Sequence, residues 1–171
     1  TCASALYKPL HYLFSMCLNS GYLPFEWKLH QVTPIYKSGD RCQIKNYRPI
    51  SLLCNTSKVL ERLIYNKIID HVISYVKPVQ FGFMPCRSTV QQLLLFMHDI
   101  FNSCQTDAIY LDISKAFDTV SHVHLLDKLT SIDIVGDLWL WFRAYLMNRF
   151  QYVSVNNHYP QLLPVESGVP Q

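Results

Sequence analysis

The stretch Tyr110-Leu111-Asp112-Ile113-Ser114-Lys115-Ala116-Phe117-Asp118-Thr119-Val120 decides how the rest of the chain is read. Upstream, Asp107 to Leu111 alternates and carries β-branched and aromatic side chains, the pattern of a short strand. Downstream, Ala116-Phe117 and the following His- and Leu-rich run read as the start of a helix. An acid at the C-terminal end of a strand, where the chain turns away, points its oxygens into a crevice. Asp112 is therefore a candidate ligand for a divalent cation; the same residue type also serves as a helix N-cap or a turn former.

Around this centre lie 171 residues, half of them hydrophobic (50%), with a mean hydropathy of +0.08. That is enough for one domain, or two small subdomains, with a sizeable core, and it excludes a disordered chain. No apolar run reaches membrane-spanning length: Leu93-Leu94-Leu95-Phe96-Met97 is stopped by His98 and Asp99, so no membrane partner is expected. The net charge of +3 permits an anionic partner without demanding one. The six cysteines, at 2, 17, 42, 54, 86 and 104, are dispersed, with neither a C-x-x-C pair nor zinc spacing, and read as reduced intracellular thiols. The seven histidines form no ligand set; His122 and His124, two apart, fall on different helix faces and read as satisfied or solvated groups. There is no initiating Met, signal peptide or Arg-rich leader, and the chain runs from Thr1 to Gln171 without closing signals, as a piece of something larger would.

Taken in order, Ala3 to Asn19 reads as a helix with Leu6, Leu10, Leu13, Phe14 and Cys17 on one side and Gly21 as its stop. Leu23-Pro24 breaks the pattern, and Trp27 to Tyr36 is strand-like. Lys37-Ser38-Gly39-Asp40 has the residue types of a tight turn, and Asn46 to Leu53 leads back, so a hairpin with Lys37 and Arg48 near its tip is expected. Two such cations can clamp a phosphate chain, Arg as a fork and Lys as a point charge, or simply be solvated. Ser57 to Tyr75 reads as a helix with Leu60, Leu63, Ile64, Ile68 and Val72 inward and Glu61, Arg62, Asn66 and Asp70 outward. Pro78 ends it, and Gln80 to Arg87 is irregular. Ser88-Thr89-Val90-Gln91 supplies a capping box for a helix to about Ser103. Arg87 at that entrance is either a phosphate contact helped by free N–H groups or a solvated rim charge. Val123 to Ser131 and Val135 to Asn148 read as helices, the second apolar all round and hence buried rather than a platform for base stacking. Phe150 to Val155 alternates as a strand, Asn156-Asn157-His158 makes the turn, and Leu162 to Val165 returns. Glu166 to Gln171 is irregular.

Four ordered stretches now converge on one resemblance. Thr33-Pro34-Ile35-Tyr36-Lys37-Ser38-Gly39-Asp40 with Asn46-Tyr47-Arg48-Pro49-Ile50-Ser51-Leu52 resembles the fingers hairpin of reverse transcriptases of non-LTR retrotransposons. Gln80-Phe81-Gly82-Phe83 with Arg87-Ser88-Thr89 resembles the next family block, and Leu111-Asp112 through Lys115-Ala116-Phe117-Asp118 the first palm motif. Ser167-Gly168-Val169-Pro170-Gln171 resembles the opening of the motif that continues Gly-Ser. Order and spacing are similar to LINE-type elements of the jockey-like group from about Leu23 onward.

The resemblance implies a helix-rich α/β (α+β) right-hand polymerase fold, with a fingers region and N-terminal helix over 1–103 and a partial palm over 104–171. It implies an RNA-directed DNA polymerase that adds dNMP to a primer 3′-OH with two Mg²⁺ ions, or Mn²⁺ in their place. Asp112 matches the metal-binding aspartate, with the Ile113 backbone carbonyl as a second oxygen ligand. Lys37 and Arg48 match the residues that grip the triphosphate, Phe117 the aromatic that floors the sugar pocket, and Gln171 the glutamine at the incoming nucleotide. Arg87 and Ser88 become candidates for template contact, and Asp118 is as readily structural. Implied partners are an RNA template, a DNA primer, a dNTP and the rest of a parent polyprotein (remaining palm, thumb, endonuclease) in an intracellular ribonucleoprotein, nuclear or cytoplasmic. The pattern departs at Met84 and Cys86, where the family carries Arg and Gly; a Cys there would strain a turn that Gly takes freely. It departs further in that no aromatic followed by paired aspartates occurs in these residues, so the chain alone is expected not to polymerise and to leave an apolar strand edge open. The alternative is a non-catalytic relative that binds RNA or protein.

Overall fold

Helical periodicity at the N-terminus becomes α1 (Cys2–Ser20) in the computed structural model, which describes residues 2–154 and 161–170. Its C-terminal half buries Phe14 and Cys17, three residues apart, while Leu6 stays half exposed, so the expected stripe is buried over only part of its length. Gly21 ends the helix at φ +60, and a Cβ there would stand 3.1 Å from Leu140 Cβ, so only glycine turns cleanly. A four-residue helix α2 (Phe25–Lys28) follows, where the sequence suggested a strand from Trp27 onward. Trp27 is buried edge-on against Phe14, ring centroids 6.2 Å apart.

The sheet is built on β1 (Leu29–Tyr36). It pairs antiparallel with β2 (Tyr47–Leu52), with Ile35 opposite Arg48 and Tyr36 opposite Tyr47, which is the expected hairpin. On its other side β1 pairs parallel with β3 (Arg149–Val153), Leu29 opposite Phe150 through Val32 opposite Val153. β3 pairs antiparallel with β4 (Leu163–Val165), giving the order β2-β1-β3-β4. The prolines obey the ladder: Pro49 and Pro164 sit on edge strands, and Pro34 lies beyond the end of the β3 pairing. The turn expected at Asn156-Asn157-His158 lies outside the described residues.

The chain divides into two compact units, Thr1–Ile64 with Lys115–Gln171, and Tyr65–Ser114. In the first, α3 (Asn55–Tyr75) begins by burying Ser57, Leu60 and Ile64. Leu63, expected inward, is half exposed, and Glu61, expected outward, is turned into a hydrogen-bonded network, so the stripe is rotated from the one drawn on the sequence. α5 (His122–Ser131) and α6 (Gly136–Leu146) complete this unit. α6 is less enclosed than its composition suggested: Trp141 and Leu146 are buried, but Leu140 is exposed.

The second unit holds the end of α3, turns over 78–87, and α4 (Thr89–Phe101). The capping box is present as read: Ser88 Oγ accepts from Gln91 N, and Gln91 Oε1 accepts from Ser88 N at 2.8 Å. Cys86 adopts φ +59, the left-handed turn expected to be strained for a side chain, and Phe83 does likewise at φ +62. The strand expected over Asp107–Leu111 is not formed: residues 106–113 belong to no ladder, and Ile109, Tyr110 and Leu111 are 82–91% exposed. A β pattern specifies a strand only where another strand completes its hydrogen bonds, and among the described residues no strand pairs with this one.

Candidate nucleotide and metal site

The hairpin tip is braced before it carries any charge. Lys37 N donates to Asn46 O at 2.8 Å and Asn46 Nδ2 to Asp40 O at 2.7 Å. Asp40 Oδ1 accepts from Cys42 N at 2.9 Å, and Tyr47 hydroxyl donates to Arg41 O at 2.9 Å. The Tyr36 and Tyr47 rings meet at 5.6 Å, and the Arg41 guanidinium lies 5.1 Å over Tyr36. Gly39, at φ +92, makes the turn. Extending the β1–β2 register by one residue sets Lys37 opposite Asn46, so Lys37 and Arg48 share one face as diagonal neighbours. Both are exposed, and no described residue pairs with either charge. The sequence reading of a two-cation tip therefore has its geometry.

Phe117 stands on a turn spanning 114–119, partly exposed. The turn is closed from inside by Asp118 N and Thr119 N, which donate to Lys115 O at 2.9 and 3.1 Å, with Lys115 itself at φ +51. From outside it is held by the segment 167–169: Val169 N donates to Phe117 O at 2.9 Å, Gly168 N to Val120 O at 2.8 Å, and Ser167 Oγ to Asp118 O at 3.0 Å. Buried His122 adds an Nε2 bond of 2.8 Å to Gly168 O, which fixes the Nε2–H tautomer. The Asp118 carbonyl is thus one of the fixed points of this contact. Gln171, two residues beyond Val169, lies outside the described residues.

Asp112 belongs to the other unit. It is exposed, and no described residue hydrogen-bonds its carboxylate; no described donor reaches the Ile113 carbonyl either. These hard oxygens suit Mg²⁺ or a similar ion, which takes few protein ligands and keeps water and substrate oxygens. They fit such an ion only in part, because no group of three acidic, His or Cys side chains able to hold a metal occurs among the described residues. Arg87 and Ser88, also in that unit, are engaged locally. Arg87 Nη1 donates to Pro78 O and to Gln80 O, its guanidinium lies 5.2 Å over Phe81, and Ser88 Oγ is spent on the helix cap.

A buried network in the first unit had no signal in the sequence. Arg149, 2% exposed at the start of β3, donates through Nε to His30 Nε2 on β1 and through Nη1 to Tyr145 O at 2.7 Å. Its guanidinium lies 4.5 Å over the Tyr145 ring, whose hydroxyl donates to Glu61 Oε2 at 3.2 Å. Burial, then the Arg149 charge, lowers the His30 pKa from 6.5 to about 4, so the imidazole is a neutral acceptor. Burial, then Glu61, raises the Tyr145 phenol. Burial lowers Arg149 against the opposing pull of Tyr145 and Glu61, and its Nη2 has no hydrogen-bond partner among the described residues. His30, Arg149, Asp118 and Ser167 line one open cavity of about 480 Å³.

Residues 35–171 match the family described as "Reverse transcriptase (RNA-dependent DNA polymerase)". The chain is similar to the RNA-directed DNA polymerase from mobile element jockey of Drosophila melanogaster, 32% identical over 166 residues. It is similar also to the probable RNA-directed DNA polymerases from transposon BS (31%) and from transposon X-element (32%) of the same fly. In each case 93% of this chain is covered, and it spans 18% of the relative's length. With its mixed α/β architecture and its motifs in family order, the chain belongs to the reverse transcriptases, right-hand polymerases, in their non-LTR retrotransposon branch.

Proposed function

We propose that this segment is the nucleotide-gripping part of an RNA-directed DNA polymerase that adds dNMP to a DNA primer on an RNA template. Fingers functions are assigned to 1–103 and palm functions to 104–171. The observation that carries the reading is the shared face of Lys37 and Arg48 on a braced hairpin tip. Their charges would draw and orient a triphosphate, with Arg48 forking across two oxygens. Phe117 would lie under the sugar and meet a ribose 2′-OH, and Gln171 would touch the incoming nucleotide. Reverse transcriptases work with divalent ions, here Mg²⁺ or Mn²⁺ by donor chemistry. When bound, such ions neutralise charge on the reacting oxygens. Asp112 and the Ile113 carbonyl would supply two of the oxygens that hold them. Arg87 and Ser88 would support a template-side loop by shaping it. The protein would work inside a nuclear or cytoplasmic ribonucleoprotein with the rest of its polyprotein; among the described residues no helix is long and apolar enough to cross a membrane.

Primer extension tests this. The full-length protein, given an RNA template, DNA primer, dNTPs and Mg²⁺, extends the primer, and Asp112→Asn abolishes extension without lowering thermal stability, since no described residue bonds that carboxylate. The 171 residues alone give no product, having no paired aspartates to hold a second ion. Full activity of the Asp112→Asn protein would overturn the reading.

A further inference from the structure

The contact between 167–169 and the Phe117 turn is closer than chain proximity requires. Gly168 has φ +86, and a Cβ on it would lie 2.9 Å from Asp118 Cα, Asp118 O and Phe117 O. All three atoms are backbone, so neither side could yield by a side-chain rotation. On that close approach three donors from consecutive residues, Ser167, Gly168 and Val169, reach carbonyls of Asp118, Val120 and Phe117. The far side of Gly168 is pinned by buried His122. Segments 49 residues apart thus meet as one unit, with the Phe117 carbonyl itself among the fixed points.

We propose that Ser167-Gly168-Val169 is the positioning element for Phe117, and that it sets how strictly the site rejects a ribonucleotide. The inference rests on the polymerase reading, in which Phe117 meets the sugar. A steric filter works only if its backbone cannot retreat, because rejection of a single hydroxyl depends on a displacement of a fraction of an ångström. The turn alone cannot supply that rigidity: Lys115 sits in the left-handed region, and both backbone bonds that close the turn end on that residue. The strip from 167 to 169 supplies it from a second place in the chain. Ser167 touches neither the nucleotide nor a metal in this account; it acts through the Asp118 carbonyl.

The test uses the full-length protein with Ser167→Ala, Ser167→Thr and Gly168→Ala, read in two ways. The first is single-nucleotide incorporation from matched dNTP and rNTP. Ser167→Ala lowers the dNTP-over-rNTP ratio of kcat/KM about fivefold, as expected for one lost hydrogen bond. Most of that change comes from faster rNTP use. Ser167→Thr, which keeps the hydroxyl, restores the ratio, and Gly168→Ala lowers it further. The second reading is amide hydrogen exchange over 115–122 and 167–169, which needs no activity. Ser167→Ala speeds exchange at both segments together. Loss of protection without a change in ratio, or an unchanged exchange pattern, overturns the proposal. A wild-type protein that extends no primer sinks the polymerase reading and with it the sugar filter, while exchange still decides whether the brace exists.

Discussion

Lowering the pH is expected to weaken the fold through His30. The imidazole is 3% exposed and accepts a hydrogen bond from a guanidinium, so its folded pKa is about 4 against 6.5 when free. Between those values the unfolded chain binds a proton that the folded chain refuses. Stability from this group is therefore complete above about pH 6.5 and is lost as pH falls towards 4. At ~1.4 kcal/mol per pH unit the interval is worth at most about 3.4 kcal/mol. His30 lines an open cavity, and solvent screening there brings the expected loss to about 2 kcal/mol. Carboxylates titrate in the same range, so the comparison is between wild type and His30→Gln, whose amide oxygen still accepts the Arg149 N–H but does not titrate. Urea unfolding of both at pH 7.5 and 4.5, in dilute solution, gives the difference. Wild type should lose about 2 kcal/mol more than His30→Gln. Equal losses would mean that His30 is protonated in the folded state as readily as in the unfolded one, and the argument from burial fails.

Arg149→Met removes the donors to His30 and to Tyr145 O together with the stacking on Tyr145, and should cost about 2–3 kcal/mol by urea unfolding. Combined with His30→Leu the loss should be less than additive, because the two share one bond. Lys37→Ala and Arg48→Ala should each raise KM for dNTP roughly tenfold or more, in keeping with a lost charge-assisted bond, with melting temperature unchanged because both are exposed. The 171 residues alone should self-associate through exposed Ile109, Tyr110 and Leu111, and Tyr110→Lys with Leu111→Lys should shift the sample towards monomer in light scattering. A monodisperse wild-type chain would count against that.

Local signals carried far, and their failures have a common cause. Periodicity gave α1, α3, α5 and α6, the Ser88/Gln91 pair gave the cap of α4, and Lys37-Ser38-Gly39-Asp40 gave the hairpin. These are short-range effects, written within one turn or one hairpin. The pairing of β1 with β3 joins residues about 120 apart, and nothing in either strand names its partner. Arg149 therefore drew no reading, falling between the helix expected to Asn148 and the strand expected from Phe150, and His30 read as one more histidine. The same gap explains Asp107–Leu111, where local pattern said strand but no described strand completes it. Glu61 read as solvent-facing because its role depends on Tyr145, 84 residues on. Of the site, Lys37 and Arg48 were legible down to their shared hairpin, whereas the 167–169 strip was legible as a motif and not as a brace.

The buried cation makes sense once the sheet is followed as a mechanical path. From Arg48 on β2 the ladder runs through β1 to β3, then to β4, and two residues beyond β4 the chain bonds the Phe117 turn. The parallel joint on that path has four paired positions, fewer than the six of the hairpin, and the antiparallel joint to β4 has three. Parallel ladders so short are open to a slip in register, and a slip would exchange the two faces of β3. An apolar pair at positions 30 and 149 would fill the same space at lower desolvation cost, but would tolerate several offsets. Arg149 tolerates one: its Nε must meet a neutral imidazole on β1 while Nη1 meets the Tyr145 carbonyl four residues before it. A charge that is expensive to bury thereby fixes the joint between the hairpin that would grip a triphosphate and the segment that holds Phe117.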